Sequence, residues 1–152
     1  MAHYSFRFQE LRLGKKRTLR PMVQVRLTGT KMSLETPMLI DSGADMSMIQ
    51  LELAEQLGLE LGAAGSTHGV SGAIPVYLSS VEARVRYGNT LLNTLQLPIQ
   101  VPTERGKLPL PLLGRETFFY EYDISFRMGY TPTKGKFVLT PVERRRDATR
   151  YK

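Results

Sequence analysis

Asp41-Ser42-Gly43-Ala44-Asp45 sets a carboxylate, a hydroxyl and a glycine side by side, with a second carboxylate close behind. The apolar run Pro37-Met38-Leu39-Ile40 leads into it, and apolar residues resume at Met46, Met48 and Ile49. A carboxylate at the end of a buried strand is costly unless it is paired, hydrogen-bonded or used in chemistry. Two such groups brought together would supply a general acid and a general base. Gly43 permits a tight turn and a close backbone approach, and the Ser42 hydroxyl can bond main chain. Taken alone, the triplet has a commoner origin, an Asp-Ser-Gly turn closing a hairpin.

Other chemistries are narrowed by what the chain contains. It has no cysteine, which excludes disulfides, thiolate zinc sites and cysteine nucleophiles. Its two histidines, His3 and His68, are too few for a histidine-based metal site, and no cofactor is implied. Ser42, His68 and Asp41 do not suit a nucleophilic triad, because adjacent Asp41 and Ser42 cannot easily flank one imidazole. His68 reads as an exposed loop residue.

The elements that must position the Asp41 stretch follow from periodicity and turn residues. Residues 37–40 read as a short buried strand, with Pro37 at its start. Upstream, residues 4–8 and 22–27 alternate apolar and polar and read as strands of an antiparallel meander, with turns at 14–17 and 28–31. Leu51, Leu53, Ala54 and Leu57 share a helical face, and Gly58 is placed to end that helix. The four glycines of 62–74 predict a hairpin or loop. Long strands follow over 75–87 and 91–101, then a polar loop at 102–107. A short helix is expected over 116–120, and strands over 122–128 and 136–139 flank a turn at 129–135.

The 152 residues suit one domain with a sizeable core, and 41% apolar content makes it globular. No apolar run is long enough to cross a membrane. The N-terminus lacks a continuous apolar stretch behind its charges, so no secretory signal is read and cytoplasm is the default location. The net charge of +7 sits at the ends: residues 1–20 carry +5 and residues 143–152 carry +3, leaving −1 between them. Such ends suit nucleic acid or acidic surfaces, but are more often solvated termini. The division expected is a basic strand-and-turn extension at 1–20, a domain at 21–140 and a basic flexible tail at 141–152.

Two later motifs stand in a fixed order behind Asp41-Ser42-Gly43-Ala44: the glycine-rich Gly69-Val70-Ser71-Gly72-Ala73-Ile74-Pro75-Val76, and Leu112-Leu113-Gly114-Arg115. Together the three resemble the retropepsin-like aspartic proteases, the family of the retroviral proteases, over about residues 23–124. The resemblance implies an all-β, retropepsin-like acid-protease half-barrel with one or two short helices, functioning as a homodimer. It implies an aspartic endopeptidase cutting polypeptide between apolar residues, with inhibition of the pepstatin type. Asp41 from each subunit would be catalytic, supported by Ser42, Gly43 and Ala44. Asp45, Gly69, Val70, Ser71, Gly72, Ile74 and Leu112 would bind substrate, the glycine-rich segment acting as a flap. Arg115 would form a structural ion pair with Asp45. Ile74 and residues 110–112 would supply apolar cleft walls. Ser42 stands where the retroviral motif has Thr, a variant permitted in the wider family. The loop at 102–107 and the strands after Tyr122 extend the minimal chain, so the retroviral joining of subunits through both termini is not carried over. The competing readings are a catalytically inactive dimerisation or peptide-binding module with the same fold, and a small basic nucleic-acid-binding β protein.

Overall fold

The computed structural model describes residues 2–69, 72–129 and 134–143. Its centre is a ring of six strands: β4 (Met22–Thr28), β5 (Ser33–Ile40), β6 (Ser47–Met48), β8 (Gly72–Tyr87), β10 (Leu95–Pro102) and β11 (Leu112–Leu113). The neighbours run β10-β6-β11-β5-β4-β8, and β8 pairs back onto β10, so the sheet closes into a barrel. Closure needs β11, a two-residue strand parallel to β5 and antiparallel to β6. The barrel interior follows from period-two alternation. Leu95, Leu97, Ile99 and Val101 of β10 are all buried, as are Val23, Val25 and Leu27 of β4.

Helix α1 (Leu51–Leu57) lays Leu51, Ala54 and Leu57 on this core. It ends where expected: Gly58 adopts the left-handed conformation (φ 74°), and its N–H bonds back to the last turn. The second helix, α2 (Phe118–Glu121), begins two residues later than the sequence suggests. Thr117 before it has φ 68°, a conformation no helix tolerates, and this leaves Glu116 in the preceding turn.

Two expectations about strands are corrected. Pro37 lies inside β5, opposite Gln24, instead of at its start. The strand has only one neighbour there, because β11 reaches no further along it than Leu39, so no second partner calls for the N–H that proline lacks. The first strand, β1 (Tyr4–Arg7), does not join a meander with β4. It pairs with β13 (Lys136–Pro141), which also pairs with β12 (Tyr122–Arg127) in a three-stranded sheet. Aromatic packing wins over local turn spacing here: the Phe6 ring stacks on Phe137 at 5.3 Å and meets Tyr87 edge-on, also at 5.3 Å. Between β1 and β4, β2 (Gln9–Leu13) and β3 (Lys16–Arg20) form a separate hairpin. Strand β7 (Ala64–Gly69) pairs with the start of β8, and β9 (Thr90–Leu91) with its end.

The turn expected at 129–135 and the tail expected at 141–152 fall largely on residues 130–133 and 144–152, outside the described residues. Among the described residues no helix is long and apolar enough to cross a membrane.

Candidate active site

Asp41 emerges at the end of β5. Its backbone N–H donates to the Leu113 carbonyl at 2.9 Å, so the pairing with β11 carries one residue past the strand. The chain then curls around its own carboxylate. The Gly43 N–H donates to Asp41 Oδ1 at 2.9 Å, and the Ala44 N–H donates to the Asp41 carbonyl at 3.2 Å. Among the described residues that is the carboxylate's one hydrogen bond, so Oδ2 is left for a visitor. Asp41 is half-buried, while Ser42 and Gly43 are exposed at the turn.

A second segment holds this loop from behind. The Arg115 N–H donates to the Ala44 carbonyl and the Glu116 N–H to the Asp45 carbonyl, each at 2.8 Å. The two segments approach so closely that a side chain on Gly114 would collide with the Met46 carbonyl and sit 2.8 Å from the Ser47 nitrogen. Only glycine fits. The Gly114 N–H donates to Ser47 Oγ at 3.0 Å, and Ser47 is the one buried polar residue among the described residues. Arg115 Nη2 donates to Asp45 Oδ1. Their side chains are 53% and 81% exposed, so within the single chain the pair is a surface contact worth about 1 kcal/mol or less.

Beside the loop lies a cleft of about 570 Å³. Asp41, Gly43, Ala44 and Asp45 form its floor, and Leu112 comes from β11. The roof is the β7–β8 hairpin, in register from Ala64 opposite Tyr77 to Gly69 opposite Gly72. Gly72 and Ile74 line the cleft from that hairpin. Val70 and Ser71 lie outside the described residues. Ser42 and Arg115 do not line the cleft, nor does Leu110. A larger hollow of about 650 Å³ opens elsewhere, between Gly29 and Leu78, away from every one of these groups.

The lining also includes residues that sequence reasoning did not single out: Met46, Met48, Thr67, Gln100, Leu108 and Glu116. His68, read as a loop residue, is an exposed member of β7 on the same cleft. Ser47 had a faint signal, a lone hydroxyl between Met46 and Met48 where the chain returns to the core. Among the described residues no cluster of His, Asp and Glu could hold a metal ion. The arrangement offers an open groove with an accessible carboxylate at its base and a hairpin above it.

Comparison with known proteins bears on this geometry. The family model for aspartyl proteases matches residues 23–117, which span β4 to the turn before α2. Among solved structures, a retropepsin-like aspartic protease from Rickettsia conorii has a TM-score of 0.52 at 16% identity, covering 91% of each chain. The EIAV protease in complex with the inhibitor HBY-793 has a TM-score of 0.38 at 21% identity, covering 64% of this chain and 83% of that one. No curated protein sequence matches.

Proposed function

Since this chain belongs to the aspartyl protease family and has a retropepsin-like fold, we propose that it is an endopeptidase whose active site forms between two copies. The observation that carries the reading is the placement of Asp41: a half-buried carboxylate with one free oxygen, on an exposed turn at the foot of an open cleft. General acid–base hydrolysis of this kind needs two carboxylates, and the chain holds a single Asp-Ser-Gly. A two-fold axis past the exposed Ser42–Gly43 turn would supply the second.

Two carboxylates about 3 Å apart do not both ionise readily, so the pair shares one proton and titrates as a unit. The ionised Asp41 takes a proton from water, and that water attacks the scissile carbonyl. The protonated Asp41 donates to the carbonyl oxygen, and no covalent intermediate forms. Ser42 and Gly43 would hold the two turns in register. Substrate would lie extended between floor and roof, bonded through its backbone to Asp45 and to the hairpin around Gly69–Gly72, acting as a flap. Ile74 and Leu112, with Met48 and Leu108, favour apolar side chains beside the cut bond.

Digestion of a diverse peptide library at mildly acidic pH tests this. Cleavage should be blocked by a statine inhibitor and should fall on the order of a thousandfold or more in Asp41→Asn, with folding unchanged. Sedimentation should show a dimer. A folded dimer that cuts no peptide would overturn the hydrolase and leave a binding module. Steep salt dependence of nucleic-acid affinity, removed by trimming 143–152, would point instead to the basic ends.

A further inference from the structure

The cleft is not simply apolar. Its acidic lining groups are Asp41, Asp45 and Glu116, and its basic side chain is His68. Asp41 is occupied by the chemistry proposed above, and Asp45 is paired with Arg115. Glu116 is different. Among the described residues its carboxylate has no hydrogen-bond or ion-pair partner, and the residue, itself exposed, lines the cleft together with Met46, Leu108 and Leu112.

Its position is enforced by the backbone. The Glu116 N–H is tied to the Asp45 carbonyl at 2.8 Å, and its own carbonyl accepts from the Phe118 N–H at 2.9 Å. Thr117, next in line, is held at φ 68°. A non-glycine residue in that region is strained and persists only where its surroundings over-determine it. Here the surroundings are Phe118, fully buried on one side, and the Asp45 loop on the other. The result leaves Glu116 in the turn before the helix, where its sequence position suggested it would be helical, and on the lining of the cleft.

We propose that Glu116 is a specificity-determining residue that selects a lysine or arginine side chain at one fixed position in the bound peptide. The proposal rests on the reading of this cleft as the peptide site. A lysine or arginine has an aliphatic stem that suits Met46, Leu108 and Leu112, and a cationic head that suits an unpartnered carboxylate. Arg115 is already committed to Asp45 and does not neutralise it. A residue of the wrong sign would leave two like charges facing each other, which rejects acidic peptides as firmly as it selects basic ones.

Binding and turnover are measured separately, so that the two readings fail separately. On the Asp41→Asn chain, fluorescence anisotropy compares labelled peptides with an apolar centre that carry lysine, norleucine or glutamate at each flanking position in turn. At one position lysine should bind about tenfold more tightly than norleucine, and glutamate more weakly than both. The preference should fade at high salt. Asp41→Asn/Glu116→Gln should erase it while leaving norleucine binding unchanged, and Asp41→Asn/Glu116→Lys should reverse it. Equal binding of lysine and norleucine at every position overturns the proposal, as does a lysine preference that survives Glu116→Gln. Turnover by the chain with Asp41 intact is read on the same peptides. Lysine-selective binding without turnover sinks the hydrolase and keeps Glu116 as selector; turnover without selectivity does the opposite.

Discussion

The floor and the roof of the cleft are built on different principles. The floor is held from several directions: Asp41 by Leu113, Ala44 by Arg115, Asp45 by Glu116, and the whole crossing by Gly114 seated against Met46 and Ser47. These contacts are backbone bonds between segments about seventy residues apart in sequence. The roof is a single hairpin whose bonds join β7 to β8 and whose cleft-side residues are mostly exposed or half-exposed. Its base is anchored where Tyr77 and Val76 pair with Val101 and Pro102 of β10, and the Thr103 N–H donates to the Pro75 carbonyl at 3.1 Å. Cross-segment bonds are concentrated around the carboxylate and are fewer over the hairpin, the distribution that the proposed entry of a peptide beneath the roof would need.

Substitutions can break that contrast. Gly114→Ala should have the largest effect on stability, about 3 kcal/mol or more, because the added methyl meets backbone that has no room to retreat. Chemical denaturation measures it, and a loss below about 1 kcal/mol would mean that the floor yields. Ser47→Ala should cost about 1–3 kcal/mol, since it strands a buried Gly114 N–H without enlarging anything. The same denaturation series checks it. His68→Ala, on the roof, should change stability by no more than about 0.5 kcal/mol, because the side chain is exposed. Its effect should appear in peptide binding instead, and an unfolding midpoint that shifts as far as Ser47→Ala does would abolish the distinction.

How much of this was visible in the residues depended on range. The Asp41 turn, α1 with its Gly58 stop and the alternation of Leu95, Leu97, Ile99 and Val101 are local patterns, and each stands where the sequence puts it. The barrel's closure was not legible, because β6 and β11 have two residues each and carry no periodicity. The turn of the β2–β3 hairpin was legible at 14–17 but its strands were not: Arg12, Lys16, Arg17 and Arg20 mask any apolar alternation, and much of it faces solvent. Strand β1 was assigned the wrong neighbour because its partner β13 lies at the far end of the sequence, and only aromatic packing reveals the match. At the site the floor residues were legible as a motif. Glu116 was not, because the helical pattern of 116–120 hides the backbone reversal at Thr117.

The sheet that unites β1 with β13 has a bearing on assembly. Both strands find their hydrogen-bonding neighbours inside one polypeptide, with β13 flanked on each side. In this sheet β1 and β12 form the edges, and β13 needs no strand from another copy to complete its pairing. If two copies do join to make the proposed site, protein concentration itself would govern how much of it is assembled.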